Sequence, residues 1–224
     1  MIPLGDETRR TSDFAFVTAG IIAVNVFVFL LEIANGDAFV TRWSVIPHDI
    51  VSGHHLETVL SSMFMHASWS HIIGNMVFLW AFGPEMEDSM GRVRYVVFYL
   101  LGGTAAAFAQ IAADPSSTVP NLGASGAIAA VMGAFLVTYP RDKIRTVLFF
   151  GFLYRVTFIP AALLIGFWFL SQLFELGVVA NAQSGGVAYL AHIGGMIFGA
   201  MTGRLFEDPR RIADRGDFDP FYRG

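Results

Sequence analysis

Six apolar stretches, most of them near the ~20 residues that a helix needs to cross a bilayer, take up about half of this 224-residue chain. They run over Phe14–Ile33, Trp69–Phe82 (extending towards Met86), Tyr95–Ala113, Gly123–Tyr139, Phe158–Leu176 and Val187–Phe206. Only 14% of the residues are charged, against about 25% in soluble domains. The expectation is therefore an all-α, polytopic, multi-pass membrane protein: a six-helix bundle over 14–206 with short tails at 1–13 and 207–224. The second tail is charged and proline-punctuated, and is expected to be disordered. The first span is too long for the core of a cleaved signal, so it reads as a retained helix.

Basic residues give the orientation. Of the 14 lysines and arginines, all but Arg42 fall in the two tails, in the second and fourth loops, or, for Arg204, at the end of the sixth span beside the second tail. The positive-inside rule makes those segments cytoplasmic, with both termini inside. The first outer loop, about Ala34 to Ser68, is long and partly apolar, as functional or interface-lying loops often are. The stretch Thr146–Tyr154 reads as an interfacial segment leading into the fifth span. There is no cysteine, which excludes disulfides, thiolate catalysis and cysteine metal sites. No basic patch with interleaved aromatics points to nucleic acid.

Chemistry is concentrated at one depth. The second, fourth and sixth spans all enter from the outer face, with His71 near the start of one, Ser125 at the start of the next and His192 just inside the last. At a rise of ~1.5 Å per residue, all three lie within roughly 10 Å of the outer boundary. Polar and ionisable groups are costly in a membrane and are functional candidates by default. A serine hydroxyl is a weak nucleophile until a base takes its proton, and His192 is the one histidine in the second half of the chain.

Gly126, Ala130 and Gly133 leave the fourth span thin, and Gly195, Gly199 and Gly203 repeat at four-residue spacing on the sixth. Such small-residue ridges let helices pack closely in lipid, whether or not they also scaffold a site. Neither span carries Asp or Glu near Ser125 or His192, so a Ser-His dyad fits better than a triad. His71 and Asn75, four apart on one helix face, are candidate donors to an oxyanion; helix-bridging glue is the blander reading. His54, His55 and His66 match no metal-ligand spacing, and no metal or cofactor is expected.

The runs Met65-His66-Ala67-Ser68-Trp69-Ser70-His71-Ile72-Ile73-Gly74-Asn75, Gly123-Ala124-Ser125-Gly126-Ala127 and Ala191-His192-Ile193-Gly194-Gly195 resemble, in order and spacing, the rhomboid intramembrane serine proteases. The resemblance extends from about Phe14 to Phe206. It implies Ser125 as nucleophile, His192 as general base, and His71 and Asn75 in the oxyanion hole with the Ser125 N–H. Gly123, Gly126, His66, Gly195 and Gly199 would support them. The implied activity is endoproteolysis of transmembrane protein substrates near the outer face. The first outer loop would lie partly in the membrane, the fifth loop would cap the site, and Phe167-Trp168-Phe169 would help form a lateral gate.

Two positions depart from the pattern. Some members place tyrosine four residues after the nucleophile, where this chain has Ala129, and some carry Trp-Arg where it has Arg42-Trp43. The alternatives are a catalytically silent relative that binds transmembrane partners, and a small transporter or channel. The minimal six-span build suggests a bacterial cytoplasmic membrane.

Overall fold

The computed structural model describes residues 1–8, 11, 13–150, 153–179 and 189–214. It opens with a short strand, β1 (Ile2–Asp6), followed by helix α1 (Phe16–Asn35). Three short helices, α2 (Asp37–Trp43), α3 (Pro47–Val51) and α4 (Thr58–Ser61), and a 3-10 turn at Ser62–Phe64 build the next segment. Then come α5 (Trp69–Met90), α6 (Arg92–Ala113), α7 (Ser125–Thr138), strands β2 (Lys143–Phe150) and β3 (Leu153–Pro160), and helices α8 (Ala161–Val179), α9 (Tyr189–Phe206) and α10 (Pro209–Asp214).

The protein is mostly helical, and the expectation of an all-α fold needs one correction. The stretch read as an interfacial segment is an antiparallel hairpin, Lys143 opposite Pro160 through Phe150 opposite Leu153. β1 joins its other edge to complete a three-stranded sheet. Ile144 and Thr146 are buried while Lys143 and Arg145 are exposed, the period-two pattern of a half-buried strand. The N-terminal tail is likewise partly a strand. The C-terminal tail carries α10 at Pro209–Asp214; 215–224 lie outside the described residues.

Among the described residues two helices, Phe16–Asn35 and Arg92–Ala113, are long and apolar enough to cross a membrane. α5 is as long as α6 but carries Glu85, Glu87 and Asp88 in its last turns. One of these acids holds two helices together. The Glu87 carboxylate accepts the Val17 N–H at 2.9 Å, the Thr18 N–H at 2.7 Å and the Thr18 hydroxyl at 2.8 Å. It thereby caps α1, whose first-turn N–H groups have no partner of their own.

Helix α7 is the axis of the molecule. Its ten residues from Gly126 to Phe135 are all buried, as a helix apolar on every side requires. α9 lies against it in backbone contact. A Cβ at Gly195 would collide with the Gly126 carbonyl, one at Gly199 with the Ala130 carbonyl, and one at Gly203 with Ala134. Gly102, Gly103 and Gly194 play the same part where α6 meets α7 and α9. Helices without a hydrophobic driving force between them associate through this kind of close van der Waals fit.

Candidate active site

The three short helices and the 3-10 turn form a scaffold for the turn that carries Ser125. Val45 and Asn121 exchange backbone hydrogen bonds of 3.0 and 2.7 Å, and the His48 N–H donates to the Ser117 carbonyl at 3.0 Å. The Gly123 N–H donates to the Ser62 carbonyl at 2.9 Å. Gly123 has a φ of 139°, a conformation that side-chain-bearing residues rarely adopt. Space matters there too: a Cβ on Gly123 would stand 3.0 Å from both Cε1 and Nε2 of His71 and 3.5 Å from Ser125 Oγ. A bare Cα at 123 thus lets the His71 ring and the serine hydroxyl flank one point.

Ser125 is the first residue of α7, and His192 stands one turn into α9. The close α7–α9 packing brings them together: His192 Nε2 lies 2.6 Å from Ser125 Oγ. His192 is buried and Ser125 half-buried. The other ring nitrogen, Nδ1, lies 2.6 Å from Gln172 Oε1 on α8. Trp168 packs a tilted ring 5.6 Å from the imidazole, and Tyr189 an edge at 6.4 Å. Ala129, fully buried, supplies no ring.

His71 approaches from α5. Ser68 caps that helix by accepting the His71 N–H on its hydroxyl at 3.2 Å, as N-cap serines do. The Ala67 N–H donates to His71 Nδ1 at 3.4 Å. A neutral imidazole with Nδ1 accepting carries its proton on Nε2, the nitrogen turned towards Gly123. Asn75, one turn on, is buried, and its Nδ2 has no acceptor among the described residues. A buried amide donor without a partner costs on the order of 1–3 kcal/mol, and such exceptions tend to mark a site that another acceptor completes.

His66 lies beneath this array, 1% exposed, with its ring 5.0 Å from that of His71 and edge-on to Phe29 at 6.5 Å. Its N–H is held by both Glu32 carboxylate oxygens at 3.1 Å. Burial, reinforced by neighbouring His71, pushes the His66 imidazole down to about 3. It is a neutral spacer that fixes the loop before α5.

The residues singled out from sequence fall at these positions. Ser125 meets His192, and the Gly123 backbone lies between Ser125 and His71; Asn75 is buried one turn after His71 on α5; Gly195 and Gly199 pack on the Gly126 and Ala130 backbone; the His66 ring lies beside that of His71. Gln172, which no sequence pattern singles out, touches the same cluster. A lone glutamine in an apolar helix carries no motif, and its one signal is being an amide where a side chain must pair. The fifth loop, expected to cap the site, lies outside the described residues. Among the described residues no three His, Cys, Asp or Glu side chains gather in a metal-holding arrangement.

The Rhomboid domain family model matches residues 53–208. Similar proteins include RHOMBOID-like protein 12, mitochondrial, of Arabidopsis thaliana, 28% identical over 83% of this chain and 57% of its own length. Rhomboid protein 1, mitochondrial, of Saccharomyces cerevisiae is 26% identical over 82% of this chain and 51% of its own. The human presenilin-associated rhomboid-like protein, mitochondrial, is 26% identical over 85% and 48%. The chain spans about half the length of these curated relatives. All three are named as mitochondrial proteins, which overturns the expectation of a bacterial cytoplasmic membrane.

Proposed function

The chain belongs to the rhomboid family, and we propose from that premise that it is an intramembrane serine endopeptidase acting on transmembrane protein substrates. The observation that carries the reading is the 2.6 Å approach of His192 Nε2 to Ser125 Oγ, the reach a general base needs.

The proposed bundle has six spans, α1 and α5 to α9, with the basic loops and both termini on the side opposite Ser125. Helix α7 has 14 residues, or about 21 Å at 1.5 Å per residue, against ~30 Å of hydrocarbon. A helix that short starts below the surface, and its start is where Ser125 sits. Likeness to relatives named as mitochondrial supports a mitochondrial membrane.

In the proposed reaction Ser125 attacks a peptide carbonyl as His192 Nε2 takes its proton. The oxyanion rests on His71 Nε2–H, Asn75 Nδ2–H and the Ser125 N–H, which opens α7 and has no helical acceptor. His192 then protonates the leaving amine, and water resolves the acyl-enzyme by the reverse proton path. Substrate must unwind locally, since a helical peptide bond is shielded by its own hydrogen bonds. Glycine or proline near the scissile bond therefore speeds cleavage.

The test is cleavage of a model transmembrane substrate in liposomes by wild type, Ser125→Ala and His192→Ala, with fluorophosphonate labelling alongside. Cleavage and labelling by wild type alone support the dyad. Equal cleavage by all three removes Ser125 and His192 from the reaction. Folded protein that neither cleaves nor labels points to a relative that binds transmembrane partners without cutting them.

A further inference from the structure

We propose that Gln172 is the positioning residue of the dyad, holding the His192 imidazole in the one tautomer that can accept the serine proton. The proposal rests on the protease reading above.

Four hydrogen bonds, taken in order, fix the tautomer. The Ser171 hydroxyl has a single proton, and it goes to the Trp168 carbonyl at 2.6 Å. Towards Gln172, Ser171 Oγ can then only accept, and what it accepts is the Gln172 Nε2–H at 3.1 Å. That settles which way the amide faces: its oxygen turns to His192 Nδ1 at 2.6 Å. A carbonyl oxygen is an acceptor alone, so Nδ1 must carry the ring proton. In a neutral imidazole Nε2 is then bare, and Nε2 is the atom 2.6 Å from Ser125 Oγ. With the amide reversed, two donors would meet at Nδ1 whenever that nitrogen is protonated. Oε1 would also face a serine oxygen whose proton is already committed.

The surroundings explain why an amide stands here. Trp168 and Gln172 are four apart on α8, hence on one face, and both meet the His192 ring. They supply from α8 the orientation that Ala129 cannot supply from α7. A carboxylate would fix the same tautomer, but an unpaired buried charge is far more costly than a paired amide. Gln172 is half-buried, with Ser171 before it and apolar Phe169, Leu170 and Leu173 around it on α8.

The experiment compares wild type with Gln172→Met, Gln172→Glu and Ser171→Ala in liposomes, reading kcat and KM separately, with the fluorophosphonate labelling rate of Ser125 and the unfolding temperature in parallel. Methionine keeps the volume but replaces the amide oxygen with a weak thioether acceptor. We expect Gln172→Met to lower kcat and the labelling rate together by tenfold or more with KM within twofold. Glutamate restores the acceptor and should recover most of kcat. Ser171→Ala frees the amide to reverse and should lose severalfold. Wild-type kcat in Gln172→Met overturns the proposal, as does a loss that Gln172→Glu fails to recover. If Gln172→Met does not fold, Ser171→Ala decides: an unchanged labelling rate refutes the chain of hydrogen bonds. Ser125→Ala and His192→Ala run beside them. Were those to cleave normally, the protease reading itself would fall, whatever Gln172 does.

Discussion

Placing one methyl group at Gly199 tests whether the α7–α9 contact sets the reaction geometry. A Cβ there would stand 2.7 Å from the Ala130 carbonyl carbon and 2.8 Å from its Cα. Carbon atoms rest at about 3.5–4.0 Å, so the helices must part by about 1 Å. The obstacle is backbone on the α7 side, which cannot rotate away. Gly199 lies seven residues from His192, about 10.5 Å along α9, close enough for the displacement to reach the dyad. A 2.6 Å approach lengthened by that amount leaves hydrogen-bonding range. Overpacking of this kind costs about 1–3 kcal/mol of stability, and a misplacement near 1 Å can cost ~10²-fold in rate. The assay is liposome cleavage with thermal unfolding in detergent, comparing Gly199→Ala with Gly166→Ala. A Cβ at Gly166 on α8 meets nothing within 4 Å among the described residues, so the control should keep activity and unfolding temperature. Should Gly199→Ala cleave and melt like wild type, the backbone contact does not set the dyad distance, and the reasoning fails.

Two further outcomes follow from the same geometry. Asn75→Ala removes a donor that has no acceptor among the described residues, so it should lower kcat by about 10²–10³-fold while leaving KM and the unfolding temperature near wild type; steady-state kinetics in liposomes decides this, and a pure KM effect would take Asn75 out of the oxyanion site. Burial, with the facing Asp142 carboxylate and against the Thr8 N–H, pushes Asp6 up to about 6 from 3.8. The folded state therefore holds a proton that the unfolded chain has released, and stability falls as pH rises from about 4 to 6. Asp6→Asn should flatten that dependence and protect the β1 amides above pH 6; hydrogen exchange at pH 5 and 7.5 reads it, and unchanged pH dependence in the variant would remove Asp6 as its source.

What the sequence disclosed and what it hid divide along one physical line: depth can be read from residue counts, but which side of a helix faces which neighbour can be read only where small residues mark it. Counting at ~1.5 Å per residue places His71, Ser125 and His192 at one level. The facing of α9 is legible as well, because Gly195 and Gly199 fall three and seven residues after His192 and so share its face. Backbone contact along those glycines forces His192 towards α7. α8 offers no such mark. A Cβ on its one glycine before Gln172, Gly166, would meet nothing within 4 Å among the described residues, so nothing in Phe167-Trp168-Phe169 tells which residues turn inward, and Gln172 stays hidden. The sheet is hidden for a related reason. Ile144 and Thr146 alternate with exposed Lys143 and Arg145, but the apolar run Val147–Phe150 blurs that period, and the partner strand β1 lies at the far end of the chain. The same contrast decides where substitutions will be informative. Along α7 and α9 the backbone leaves no room, so any added atom reaches the dyad through distance. On α8 the link is one amide, so the reaction should respond to hydrogen-bonding character at 172 far more than to volume.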